Sequence, residues 1–163
     1  SRQRVQAGPN MKLTEILTEG QVIADLQARG KRSAIEELCQ AVARTHPELD
    51  LKRLMEVLIE RERLGSTGIG DGIAIPHGKL ANLDELLLSF GRSVSGVDFD
   101  SLDGKPAHLF FLVVAPENSA GTHLKALARI SRLLKSNVVR RELLEAKDAQ
   151  GIYRIIEAQD EDF

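Results

Sequence analysis

Three side chains in this sequence could act together on an anion: His77, Arg61 and His123. His77 closes the run Gly65-Ser66-Thr67-Gly68-Ile69-Gly70-Asp71-Gly72-Ile73-Ala74-Ile75-Pro76-His77-Gly78, a glycine-rich turn leading into a short apolar segment. Pro76 fixes its own φ and biases Ile75 toward extended geometry, while Gly78 lets the chain turn away at once, so the imidazole projects from a strand end into an open site. The plainer alternative is a turn histidine at the end of a strand. Arg61 follows Leu54, Val57 and Leu58 at helical spacing, which puts a guanidinium, and then Leu64, on the inward stripe of the last turn. Arg63 instead shares a face with Glu56, Ile59 and Glu60. An arginine on such a stripe can snorkel, complete an ion pair or cap the helix C-terminus. Close to the His77 loop, its permanently charged planar fork would equally suit phosphate oxygens. His123 lines up with Leu127, Ile130 and Leu134 at the start of a later helix. One residue after Thr122 as N-cap, its pKa should be lowered by the helix dipole, and the amide-rich terminus would attract an anion. A packed first-turn histidine is the competing account. His46 before Pro47 reads as a helix-end residue and His108 as a strand start, and neither is given a role.

The elements that must position these groups can be read from periodicity. A helix runs from Ser33, at capping-box spacing from Glu36, to about Thr45, where Pro47 stops it. A second follows Asp50 as N-cap and ends near Gly65. The β-rich runs are Ile73 to Pro76, Leu86 to Val94 and His108 to Ala115, with a turn at Asp103-Gly104. Helical patterns over Thr122 to Leu134, Val138 to Ala146 and Ala149 to Ile156 close the chain. Helices flank the strands on both sides in sequence, which argues a single layered α/β domain.

Composition excludes several classes. The 163 residues fit one domain with one substantial core, and a formal charge of −2 with 28% charged residues leaves no electrostatic footprint for nucleic acid. The single cysteine, Cys39, cannot form an intrachain disulfide and sits in the helical pattern Ile35, Leu38, Cys39, Val42, which suits a reducing cytoplasm. No apolar run approaches the roughly 18 to 20 residues that span a bilayer. Residues 1–10 read as a flexible leader or an expression remnant, residues 11–158 as the domain, and residues 159–163, with Asp160-Glu161-Asp162, as a solvated acidic tail. Two nucleotide motifs fail. Gly72 to Lys79 has five residues between its glycines where a P-loop has four, and Leu80 replaces the Mg²⁺-binding Ser or Thr. Gly68-Ile69-Gly70-Asp71-Gly72-Ile73 lacks the last glycine of the dinucleotide fingerprint and follows a helix, not a strand. No cofactor or metal is expected.

The run Ser66-Thr67-Gly68-Ile69-Gly70 with Gly72-Ile73-Ala74-Ile75-Pro76-His77-Gly78-Lys79, preceded by Arg61-Glu62, resembles the mannitol/fructose-type IIA family of the bacterial phosphoenolpyruvate phosphotransferase system. Ala115-Pro116 and His123-Leu124-Lys125-Ala126-Leu127 extend the resemblance from about Met11 to Ile156, and Gly65-Ser66-Thr67 with His77-Gly78-Lys79-Leu80 is most similar to the nitrogen-regulatory subgroup. The resemblance implies a mixed parallel and antiparallel sheet with helices on both faces. It matches His77 to the phosphorylated histidine, Arg61 to the arginine beside the phosphoryl group, His123 to the second active-site histidine and Asp71 to an acidic or polar position near the site. A carboxylate beside a phosphoryl group is repulsive unless it orients Arg61 or a histidine, so a turn role for Asp71 stays open. The implied donor is an HPr-like phosphocarrier, and the implied targets are regulated proteins such as kinases or transporters. A sugar-transport IIA that passes phosphate to a separate IIB protein, and a binding module that is never phosphorylated, are the alternatives. Cys39, in a packed helix, argues against this chain being the IIB partner itself.

Overall fold

The structure is a computed structural model that describes residues 12–119 and 121–160. The expected leader at residues 1–10, and Glu161 and Asp162 of the expected tail, lie outside the described residues. Six strands form one mixed sheet: β1 (Val22–Ile23), β2 (Gly68–Gly70), β3 (Ile73–Ala74), β4 (His77–Leu80), β5 (Leu87–Val97) and β6 (Ala107–Pro116). They lie in the order β1-β5-β6-β3-β2, with β4 also paired to β6. β5 runs antiparallel to β6, whereas β1 is parallel to β5 and both β3 and β4 are parallel to β6. Helices α1 (Lys31–Thr45) and α2 (Leu51–Arg63) cover one face; α3 (Thr122–Lys135), α4 (Asn137–Glu145) and α5 (Ala149–Asp160) cover the other.

β6 is the hub, and its sequence explains why. Leu109, Phe111, Val113 and Ala115 enter the core under α3 to α5, while Phe110, Leu112 and Val114 enter the core under α1 and α2. A strand buried on both faces reads as a continuous apolar run because successive side chains alternate faces. Across the sheet Phe90 meets Phe111 edge-on with ring centroids 5.0 Å apart, and Phe99 meets Phe110 at 5.4 Å.

Several boundaries differ from the expectation, each for a local reason. α1 starts at Lys31 with Gly30 as N-cap, and Ser33 donates its hydroxyl to the Gly30 carbonyl at 3.1 Å, so Ser33 is not the cap. Asp50 does cap α2, accepting from the Arg53 amide at 3.1 Å. The expected strand Ile73 to Pro76 stops at Ala74, since Pro76 has no N–H to donate to a ladder, and the chain pairs again as β4 from His77. At the head of α3 the N-cap is Gly121, with φ 91°, and Thr122 is already helical. α5 extends to Asp160, which is fully buried, so that residue is part of the domain and not a solvated tail. No described helix is long and apolar enough to cross a membrane.

Candidate active site at the end of β4

β4 lies between α2 and α3, and its sequence divides the work between its two faces. His77 and Lys79 stand beside Val113 and Ala115 of β6, on the face covered by α3. Gly78 points the other way. A Cβ there would lie 2.8 Å from Cγ1 of Val57 and 3.4 Å from Cδ2 of Leu58, so the missing side chain is what lets α2 press against the strand. That approach puts the C-terminal turn of α2, with Arg61, next to His77. His77, Arg61, His123, Lys79 and Val113 line a single cleft of about 1220 Å³ that continues along α2.

At His77, Nδ1 lies 2.8 Å from the carbonyl oxygen of Ile75. A carbonyl can only accept, so the proton sits on Nδ1 and the lone pair is on Nε2. The imidazole is thereby set up as a nucleophile at its distal nitrogen, half-buried at the cleft wall. Arg61 donates from an Nη to the Gly65 carbonyl at 2.8 Å, which caps the end of α2 and leaves a full positive charge at the cleft. His123 has its Nδ1 3.2 Å from the Ser119 hydroxyl. Its pKa is lowered, first by burial, then by the charge of Lys79, and by that of His77 whenever the His77 ring is protonated. The direction agrees with the expectation from the helix N-terminus, but the causes are burial first and then these neighbours. The histidine is therefore held toward its neutral form beside the Lys79 cation, where it can donate or accept a hydrogen bond to a bound anion.

The structure thus brings together His77, Arg61 and His123, and leaves Asp71 out. Asp71 has φ 56° in the turn between β2 and β3, and its amide donates to Oδ2 of Asp103 at 3.0 Å. Its neighbour Gly72 is level with His108 and His77 with Val113, so about five residues of extended strand, roughly 16 Å, separate the turn from the imidazole. The turn reading of Asp71 is the one its geometry supports.

Sequence reasoning missed three residues here. The buried stripe of α2 runs from Leu54, Met55 and Leu58 to Glu62, not to Leu64, which is 81% exposed. Met55, Leu58 and Glu62 are spaced i, i+3, i+7, a signal available in the sequence but obscured by the charge of Glu62. Lys79 follows His77 by two in a strand, which puts both on one side of the sheet. Ser119 lies in the β6 to α3 connection, and nothing in the sequence pattern marks it.

Residues 15–159 match the family described as phosphoenolpyruvate-dependent sugar phosphotransferase system, EIIA 2. The chain belongs to that family. This EIIA 2 chain is similar to two kinds of relative. One is the nitrogen regulatory protein of Bradyrhizobium diazoefficiens, 39% identical over 90% of this chain and 95% of the relative. The other is the fructose-specific EIIABC component of Bacillus subtilis, 41% identical over 92% of this chain but only 24% of that longer protein. Among solved structures, the nitrogen regulatory protein IIA-Ntr of Neisseria meningitidis superimposes with a TM-score of 0.82 at 33% identity, over 88% of this chain and 98% of the other. The IIA mannitol domain of Escherichia coli shares the fold, with a TM-score of 0.70 at 20% identity over 86% and 98%. The α/β fold with a mixed sheet is common to these structures and this chain.

Proposed function

We propose that this EIIA 2 chain is a nitrogen-regulatory phosphocarrier: His77 accepts a phosphoryl group from an HPr-like carrier in the cytoplasm, and the phosphorylation state governs partner proteins. The observation that carries this reading is the Nδ1 to Ile75 carbonyl contact of 2.8 Å, because it leaves Nε2 free and nucleophilic without any change of tautomer. In the transfer, the Nε2 lone pair forms a bond to phosphorus as the bond between phosphorus and the donor nitrogen breaks, and that electron pair returns to the donor ring. No proton needs to move on His77, since Nδ1–H stays on the Ile75 carbonyl. The transition state spreads charge over the equatorial oxygens, so positioned cations and donors supply most of the rate enhancement. Arg61, Lys79 and His123 are the groups at hand. Asp71 takes no part.

A sugar-specific IIA role is the second reading, favoured by the 41% identity to the fructose-specific EIIABC component. Incubation with phosphoenolpyruvate, enzyme I and an HPr-type carrier, followed by intact-mass and acid-lability analysis, tests the shared step. One acid-labile phosphate on the wild type and none on His77→Ala is the expected result; an equal label on both overturns the assignment. Offering IIB acceptors to the phosphorylated protein then separates regulation from sugar transfer.

A further inference from the structure

Two of the site's groups are connected through hydrogen bonds to one buried carboxylate that does not itself line the cleft. Glu62, in the last turn of α2, has a side chain only 4% exposed. One oxygen accepts from the Thr67 amide at 3.1 Å and from Lys31 Nζ at 3.0 Å, and the other accepts from the Thr67 hydroxyl in a short hydrogen bond. Lys31 is held in turn by Asp100 at 3.3 Å and lies over the Phe99 ring, 4.8 Å from its centroid. Thr67 faces both ways. Its carbonyl accepts from the Ile75 amide at 3.0 Å, and the Ile75 carbonyl is the acceptor that sets the His77 tautomer. On the other side, the short loop closed by the Glu62 to Thr67 contact contains Gly65, whose carbonyl holds Arg61 and whose amide donates to the Glu62 carbonyl at 3.1 Å.

Resting on the phosphocarrier reading, we propose that Glu62 is a positioning residue: through Thr67 it sets the Arg61 guanidinium by way of Gly65 and the His77 ring by way of Ile75. Gly65 and Gly68 give the loop little stiffness of its own, and its other side-chain anchor, Ser66 Oγ to the Phe99 carbonyl at 2.6 Å, ties it to the 99–102 segment and not to α2, so its register against α2 depends on this clasp together with the Gly65 amide. Loss of the clasp moves the cation and the nucleophile relative to each other, and displacements on the scale of an ångström cost phosphoryl transfer heavily.

The test uses the full chain in Glu62→Gln, Thr67→Val and Thr67→Ser forms, with two readouts. The first is the single-turnover rate of phosphoryl transfer from a phosphorylated HPr-type carrier. The second is the ¹⁵N NMR signature of the His77 ring in the free protein, which reports the Nδ1–H tautomer and needs no transfer at all. Thr67→Val and Glu62→Gln are expected to slow transfer by about tenfold or more and to mix the His77 tautomers, whereas Thr67→Ser, which keeps the hydroxyl, restores both. A folded Thr67→Val protein with a wild-type tautomer and rate overturns the proposal, even if its melting temperature falls. If Glu62→Gln fails to fold, the valine and serine pair still decides. Should wild-type protein accept no phosphate, the phosphocarrier reading fails, while the tautomer comparison still decides whether the clasp sets His77.

Discussion

At the scale of single residues, the chemistry of this site depends on which nitrogen of each imidazole is free. His77 has its answer in a backbone carbonyl 2.8 Å from Nδ1. At His123 the Ser119 hydroxyl lies 3.2 Å from Nδ1, which leaves Nε2 for the cleft, and the surroundings favour the neutral ring. Burial lowers its pKa first, then the Lys79 charge, then His77 when that ring is protonated. Removing the lysine charge should therefore move it back: in Lys79→Gln the titration of His123, followed by NMR, is expected to shift upward toward the ordinary value of 6.5, and no shift would mean that Lys79 contributes nothing. The same lowering has a consequence for stability, with a definite sign. Between the lowered folded value and the unfolded value, the unfolded chain binds the proton that the folded chain refuses. Stability therefore falls as pH drops through about 6.5 and stops falling from this source below the folded value. His123→Asn should lose that part of the acid sensitivity, measured as the difference in urea midpoint between pH 7.5 and pH 5. For Arg61 the proposed transfer requires the charge more than the cap. Arg61→Gln keeps a donor for the Gly65 carbonyl but loses the cation, and is expected to slow phosphoryl acceptance by roughly ten- to a thousandfold with little change in melting temperature.

At the scale of elements, the site exists because α2 can lie against β4, and Gly78 makes that possible. Gly78→Ala places a methyl group 2.8 Å from Val57 Cγ1, so helix and strand must separate or strain. The expected cost is about 1 to 3 kcal/mol by urea denaturation, with slower phosphoryl acceptance, and Val57→Ala in the same chain should recover part of both. Equal stability of Gly78→Ala and wild type would show the contact to be soft. The long elements are legible in the sequence because their patterns are long: the helices over 51–63 and 122–135 carry an apolar stripe through several turns, and β6 is a continuous apolar run. The short strands are not. β3, two residues inside the expected Ile73 to Pro76 run, is the exception; β1 has two residues and β2 three, too few for alternation to register, and β4 is His-Gly-Lys-Leu, which has no strand signature at all. β4 is a strand because β6 offers it a ladder. Residue type and stripe position single out His77, Arg61 and His123 as candidates, whereas the charge of Glu62 hides its place on the buried stripe, and Lys79 escapes notice because the group it acts on, His123, is distant along the chain.

At the scale of the whole molecule, two cores share one sheet, and a buried ion pair ties the outer layer of one of them to both ends of the described chain. Asp160, with no exposed surface at the end of α5, accepts from the Thr14 amide and hydroxyl at 3.0 Å each and from Arg129 Nε of α3 at 2.9 Å, while an Arg129 Nη donates to the Asp160 carbonyl at 2.6 Å. α3 also carries His123 in its first turn, six residues before Arg129, so this clasp anchors the middle of the helix that presents His123 to the cleft. Deleting one member of a buried charged cluster leaves the others desolvated and under-partnered. Asp160→Ala is expected to cost about 3 to 5 kcal/mol, measured by urea denaturation. The comparison that decides is Asp148→Ala. Asp148 also accepts from a backbone amide, that of Gly151 at 2.8 Å at the start of α5, but it is exposed, so its loss should cost only about 1 kcal/mol. If the two variants lose the same stability, Asp160 is no more than a helix-end contact. If Asp160→Ala loses the larger amount and hydrogen exchange quickens in α3 as well as in α5, the layer under the site is held from its far edge.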